Sequence, residues 1–446
     1  MRPVGASAAV VERGPREELL AERLFPPEPG EIRWGLGRTR AMLSELGDPH
    51  LDFAAMHVGG TNGKGSVAAI WSSVLRSRGL RVGLYTSPHL LSLRERFQID
   101  GTPLSEEVLA GAADEIRPVL ERWRPSHFEA GTVLAFHLFR KYAVDVAVVE
   151  VGLGGRLDAT NVLRPEVSAI TSVALDHAAY LGSSLSEVAR EKAGILKPDV
   201  PAVVGETRSR IRPIFEQAAR DSRAPLHFVR PRGGLRAPPG PPGRTTLRID
   251  TEAWGQVDLT SSLVGPHQAA NVRVAVRALE LLPLWLRPDR EALQAGIAAA
   301  SLPGRFQVLE AEGRTWILDV AHNPAAVRAL IRTLRAYRPS RPVVLLAGIL
   351  GDKAWTKMLH RLLGEVDRAV LTQPPSAPLH RRWDLEAAGR MVSPVPLEVV
   401  ATFHDAVAAA AREPGGTVLT TGSFPVVADA IRALGPAALP PFRALL

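Results

Sequence analysis

The stretch His57-Val58-Gly59-Gly60-Thr61-Asn62-Gly63-Lys64-Gly65-Ser66 constrains this chain more than any other. Apolar residues over Leu51–Val58 predict a short buried strand, and the pattern over Ser66–Arg78 predicts a helix closed by Gly79. Between them, glycines at 59, 60, 63 and 65 let backbone N–H groups curl around a phosphate with no side chain in the way. Lys64 can reach outer phosphates, the Ser66 hydroxyl can ligate magnesium, and the helix dipole favours an anion. Strand, loop, lysine, hydroxyl and capped helix in that order read as a nucleotide phosphate loop, with Gly60 through Ser66 as its contacts. The common pattern runs Gly-Lys directly into Ser or Thr, whereas here Gly65 intervenes.

A chain of 446 residues is too long for one ordinary domain, and 46% hydrophobic residues support sizeable cores. The absence of cysteine excludes disulfides, thiolate metal sites and a cysteine nucleophile. A net charge of +8 fits either an Arg-rich composition or a preference for anionic ligands. No basic-aromatic stripe accompanies it, so no nucleic-acid partner is expected. Met1–Arg13 lacks the long apolar core of a secretion signal, and no apolar run is long enough for a bilayer. A cytoplasmic monomer without membrane contact is the expectation.

Apolar runs alternate with helical patterns, which predicts an α/β fold with mainly parallel sheets. Further strands are expected at Arg81–Thr86, Val144–Val151 and Val167–Leu175, and a hairpin over Thr245–Leu259 turning near Glu252–Gly255. Arg230–Arg244, dense in Pro, Gly and Arg, reads as a loop. After Leu302-Pro303-Gly304 the alternation restarts, with strands expected at Trp316–Val320, Pro342–Leu346, Arg368–Leu371 and Val418–Thr421. The expected organisation is an N-terminal phosphate-loop ATPase domain, residues 1–302, and a smaller Rossmann-like α/β domain, residues 303–446.

Parallel sheets bind ligands beyond the carboxyl ends of their strands. Four predicted strands end in conspicuous polar groups: the phosphate loop, Thr86-Ser87-Pro88-His89, Glu150 with the following Val151–Asn161, and Asp176-His177. Glu150 is placed to give a carboxylate to magnesium beside the phosphates, and His177 to join it, although a salt-bridged strand end and a core histidine are the plainer readings. Ser184 and Glu187 form a capping-box pattern opening a helix over Leu185–Leu196. On that helix Lys192 shares the apolar face of Leu185, Val188, Ala189, Ala193 and Leu196. A lysine there must snorkel, pair with Asp176 or Glu150, or lose its proton. The neutral amine could add carbon dioxide to become a carbamate ligand. Physics alone favours snorkelling or pairing.

Taken together, these blocks resemble the folylpolyglutamate synthase/dihydrofolate synthase family of the Mur-ligase superfamily. The resemblance runs through Leu36–Arg40, His57–Ser66, Thr86–Leu90, Ser92–Gly101, Glu150–Val162, Glu191–Ile195, Gly265–Asn271, Pro303–Arg305, Asp319–Pro324 and Thr421–Ser423. It implies an ATP-dependent ligase that activates a pteroate or folate carboxyl as an acyl phosphate for attack by L-glutamate. The implied cofactors are ATP and two magnesium ions, one on Ser66 and Glu150, the other on Glu150, His177 and carbamylated Lys192. Lys64, His177 and Lys192 are the implied catalytic set; Asn271, Arg305, Asp319 and His322 are implied to close over ATP. Ser87, Pro88, His89, Arg156, Asp158 and Ala159 are implied to carry dihydropteroate or a reduced folate, and Ser423 to meet glutamate. Val320 stands where the family usually has Gly, and Ala354 where it has Asp. A Mur-type ligase of cell-wall precursors is the alternative, but the phosphate loop starts too early for the extra N-terminal domain of such enzymes.

Overall fold

The computed structural model describes residues 15–25, 35–206, 208–229, 243–311, 313–412 and 415–435. The chain divides into two compact units, one comprising Glu22–Val308 with Asn323–Pro339, the other built on Leu309–His322 and residues from 340 onward. Most of the Pro/Arg-rich segment, residues 230–242, and all of Met1–Arg13 lie outside the described residues.

The larger unit contains β1 (Ala54–Gly59), β2 (Val82–Tyr85), β3 (Phe97–Ile99), β4 (Thr102–Pro103), β5 (Val146–Glu150), β6 (Val167–Ile170), β7 (Ala202–Val204) and β8 (Leu226–Phe228). They form one sheet in the order β4-β3-β2-β5-β1-β6-β7-β8. The six strands from β2 to β8 run parallel, and β3 and β4 close one edge antiparallel. The expected hairpin is β9 (Thr245–Thr251) and β10 (Gly255–Ser261).

Alternation along the strands feeds two cores. Met56, Val58, Val148 and Ala169 point into a core with Trp71, Val74, Val272, Leu279 and Ile297, from the helices Lys64–Ser77, Pro266–Glu280 and Arg290–Ala299. Ile170, Ala202 and Val204 point the other way, toward Val188, Ala189 and Phe215 of the helices Leu185–Ala193 and Arg212–Ser222. The indole of Trp71 donates to the Ala275 carbonyl at 3.1 Å, satisfying its N–H inside the first core.

Two expected strands are shorter than their apolar runs. The first begins only at Ala54, because Pro49–Leu51 forms a 3₁₀ turn that leaves Leu51 68% exposed. The fourth ends at Ile170, because Thr171–Ala174 leave the sheet to bond the phosphate loop. Asp176 and His177 therefore stand on a loop well past the strand end.

The second unit carries β11 (Gln307–Ala311) from Leu309 on, β12 (Arg314–Asp319), β13 (Val343–Ala347), β14 (Arg368–Leu371), β15 (Leu397–Val399) and β16 (Thr417–Thr421). Its sheet order is β11-β12-β16-β13-β14-β15, parallel from β12 to β15. β13 and β16 are buried along their whole length, as expected of central parallel strands covered on both faces. Among the described residues no helix is long and apolar enough to cross a membrane.

One close helix approach sets a stability test. A Cβ at Gly296 would lie 2.3 Å from Val74 Cα on the helix Lys64–Ser77. Gly296→Ala is expected to lower the unfolding free energy by about 1–3 kcal/mol in urea titrations, through forced separation of the two helices. Unchanged stability would contradict this packing.

Candidate active site

β2, β5, β1 and β6 lie side by side and parallel, so the four polar strand endings leave one edge of the sheet. Val58 pairs with Glu150 in register, which brings the phosphate loop and the carboxylate off neighbouring strands at the same height.

The loop conformation follows from its glycines. Gly60 and Gly63 have φ of +141° and +97°, conformations that L side chains rarely adopt. Each also faces a neighbour. A Cβ at Gly60 would lie 1.9 Å from Thr171 Oγ1, and one at Gly63 2.4 Å from Asn271 Oδ1. Asn271, 9% exposed, is held by donating from Nδ2 to Gln268 Oε1 at 2.8 Å. The Thr61 amide donates to Ser172 O at 2.7 Å, and the Asn62 carbonyl accepts from Thr171 Oγ1 and Ser172 Oγ at 2.8 and 2.9 Å. Asn323 Nδ2 donates to Asn62 Oδ1 at 3.0 Å and to Asp176 Oδ2 at 3.1 Å. The loop is thus braced from outside, while the amides of the first helical turn, beginning at Lys64, are left for an anion. The sequence marks Thr171, Ser172 and Asn323 only faintly, by a polar run after a predicted strand and an Asn beside His322.

Lys64 Nζ stands 3.7 Å from Glu150 Oε1, with side chains 15% and 6% exposed. Burial pushes the Glu150 carboxyl up, opposed by Lys64, the Ser87 amide and Arg305. The Ser87 amide donates to Glu150 Oε2 at 3.3 Å. Ser66 is 2% exposed. A Cβ at Gly65 would make only ordinary contact, 3.6 Å from Glu150 Oε2, so Gly65 lies directly beside the carboxylate.

Lys192 is 3% exposed on its capped helix, as the face pattern predicts. Among the described residues no hydrogen bond or ion pair reaches its amine, so of the two plainer alternatives pairing with Asp176 or Glu150 is absent at bonding distance. Burial, reinforced by Lys64, lowers its ammonium to about 7 against the pull of Asp176, Asp158 and Glu191. His177 caps a short turn in the left-handed conformation, its side chain 42% exposed and 3.9 Å from Asp176. Among the described residues, no three His, Cys, Asp or Glu side chains gather as a ready metal cage.

The remaining candidates lie on several elements. Asp158 is 5% exposed and caps the turn Ala159–Val162. Arg156 turns outward, 55% exposed, and pairs with Glu191 at 2.8 Å. His89 Nδ1 accepts from Arg96 Nε at 3.0 Å, and Pro88 is exposed. Arg305 acts on Glu150 and on His267. In the second unit, Asp319 Oδ1 accepts from the Ala321 amide at 2.9 Å, and His322 Nδ1 lies 2.9 Å from Val320 O. Val320 is 3% exposed, its branch turned into the fold. Ser423 is fully buried; its hydroxyl donates to Gly348 O at 2.6 Å and caps the helix Phe424–Leu434.

Comparison with known proteins agrees with this architecture. The Mur ligase middle domain matches residues 58–279, and the Mur ligase glutamate ligase domain residues 304–424. The dihydrofolate synthase/folylpolyglutamate synthase of Escherichia coli is 34% identical over 413 residues, covering 90% of this chain and 92% of that protein. The Mycobacterium tuberculosis folylpolyglutamate synthase, solved with ADP and AMPPCP, superposes with a TM-score of 0.82 at 33% identity, covering 90% of this chain and 96% of that one. The Escherichia coli FolC structure in complex with DHPP and ADP gives 0.79 at 31% identity, covering 96% and 98%.

The buried lysine makes a signed pH prediction. Its folded pKa, about 7, lies below the ordinary 10.5, so the unfolded chain binds the proton more tightly. The lysine therefore costs stability in full below about pH 7, and the cost fades as the pH rises toward 10.5. In carbon dioxide-free buffer, Lys192→Met is expected to gain about 1–3 kcal/mol at pH 7 and to lose the gain toward pH 10, read by urea unfolding. A gain that is absent at pH 7, or that grows with pH, would contradict the burial of an unpaired amine.

Proposed function

This chain belongs to the dihydrofolate synthase/folylpolyglutamate synthase family of Mur ligases, and we propose that it joins L-glutamate to dihydropteroate, to a reduced folate, or to both, at the expense of ATP. The observation that carries this reading is likeness over nearly the full length of relatives so named, 92% of the Escherichia coli protein. The substrate carboxyl takes the terminal phosphoryl group of ATP, releasing ADP. The amine of glutamate then attacks the acyl carbon, and phosphate leaves as the amide forms.

The first step brings two anions together, so the residues that matter are those that neutralise charge. The amides of the Gly60–Ser66 loop and the Lys64 ammonium receive the phosphates. Lys64 already faces an anion, Glu150, at 3.7 Å and is free to exchange it for a phosphate. Asn271 and Arg305 border the loop and Glu150 respectively, which suits them to the nucleotide. The assignment of Asp319 and His322 to ATP, and of Ser423 to glutamate, rests on the resemblance alone.

Magnesium fits the donor set: a hard carboxylate at Glu150, buried and only partly countered, and the Ser66 hydroxyl at the start of the same phosphate-binding helix. Bound there, it supplies further neutralisation of phosphate charge. A second ion would draw on Glu150, His177 and a carbamate on Lys192. The low proton affinity of Lys192 suits carbamate formation, in which the neutral amine adds carbon dioxide and releases one proton. Ser87, Pro88, His89, Asp158 and Ala159 follow β2 and β5 and would hold the heterocycle and its linker; Arg156, paired outward with Glu191, would act at the rim. A monomeric cytoplasmic ligase remains the working picture.

The test supplies ATP, magnesium and labelled glutamate, with dihydropteroate and a tetrahydrofolate offered separately. Incorporation into at least one is expected. Incorporation into neither, with activity on a muramyl precursor, would overturn the reading. Lys192→Ala is expected to lose at least about 100-fold in kcat and to recover part of it with a small added carboxylate. Full activity in that variant would remove the lysine from the metal set.

A further inference from the structure

Behind Asp158 runs a buried polar chain, through Thr160 to His57, two residues that none of the roles above uses. His57 lies on β1 with no exposed surface, between Val149 of β5 and Ser168 of β6. Its strand neighbours Met56 and Val58 face the first core, so the pleat turns His57 to the opposite face. There its Nε2 lies 2.8 Å from Thr160 Oγ1. The Thr160 hydroxyl donates to Asp158 Oδ1, the Thr160 amide donates to the same oxygen at 3.0 Å, and the Leu153 amide donates to Oδ2 at 2.8 Å. All three residues are buried, with His57 and Thr160 at 0% exposure.

Proton accounting gives this chain a direction. Burial, with the charge of Lys197 adding to it, holds His57 down to about 3, so the imidazole is neutral and has one N–H. Burial pushes the Asp158 carboxyl up, but its four donors, the Thr160 hydroxyl and the amides of Leu153, Thr160 and Gly152, all favour the ionised form. With Asp158 as acceptor, the single Thr160 proton is spent on it, and the Thr160 oxygen accepts from His57 Nε2–H. Nδ1 is then the bare nitrogen, and among the described residues it has no partner. An unsatisfied buried nitrogen costs stability, which an apolar residue at position 57 would avoid.

We infer that His57 and Thr160 are positioning residues for the substrate: they fix the Asp158 carboxylate in orientation and keep it a hydrogen-bond acceptor for N–H donors of the heterocycle. This rests on the ligase reading, which sets Asp158 beside the pteridine. The phosphate loop begins directly after this strand but takes its bracing from Thr171, Ser172 and Asn323 instead. Losing the chain should therefore disturb the folate side and leave ATP alone.

Three variants and one spectrum test this. In ¹⁵N NMR of the full-length protein, His57 is expected as the Nε2–H tautomer from pH 6 to 8. The Nδ1–H tautomer, or a titrating imidazolium, would overturn the inference. Thr160→Val is expected to raise KM for the accepted pteridine substrate about tenfold or more, with kcat and the ATP KM within about twofold. Thr160→Ser, which keeps the hydroxyl, should restore the wild-type KM, and His57→Phe should raise it about three- to tenfold. An unchanged pteridine KM in Thr160→Val, or an equal rise for ATP, would reduce the chain to packing and refute its positioning role. Wild-type protein that turns over neither folate substrate would instead sink the ligase reading, and the tautomer would then decide the relay by itself.

Discussion

An ammonium and a carboxylate, Lys64 and Glu150, sit 3.7 Å apart with little water around either, and the rest of the site is arranged about that pair. Removing two charges from water costs several kcal/mol each, and a contact this long does not fully offset it. The residual strain shows in Glu150, whose carboxyl is pushed up by burial in spite of Lys64, the Ser87 amide and Arg305. A pair that is only partly satisfied is ready to be parted: phosphate can take the ammonium, and a cation can take the carboxylate. The parallel register of β1 and β5, Val58 opposite Glu150, makes the pairing possible, because both charges emerge from adjacent strands at one edge.

Much of this was legible from local pattern. Four apolar runs became four adjacent strands, the Ser184–Glu187 capping box formed, and the apolar face carrying Lys192 is buried. These features depend on residues a few positions apart, where periodicity and capping speak directly. The failures came where tertiary partners overrode local preference. The apolar run after Val167 was cut short because Thr171–Ala174 serve the phosphate loop. The bracing of Asn62 by Asn323, 261 residues away, and the seating of Asn271 against Gly63 have no local signal. The pairing of Arg156 with Glu191, 35 residues further on, has no local signal either. The burial of Lys192 was legible, but not that its amine has no hydrogen-bond or ion-pair partner among the described residues.

Glu150, Lys192 and the Nδ1 of His57 are each buried with less than full compensation. Ordinary cores avoid such groups, and proteins tolerate them where chemistry needs them. Glu150 ends β5, and Lys192 lies within electrostatic reach of Lys64 and Asp176, so the cost of these two groups falls where the proposed function needs a charged ligand set.

Calorimetric titration of a non-hydrolysable ATP analogue into wild type and Glu150→Gln, with and without magnesium, tests this account most directly. The account predicts that magnesium tightens binding to wild type by at least about tenfold, and that Glu150→Gln abolishes that gain while binding the metal-free analogue as well as wild type or better. A magnesium dependence that survives intact in Glu150→Gln would contradict it.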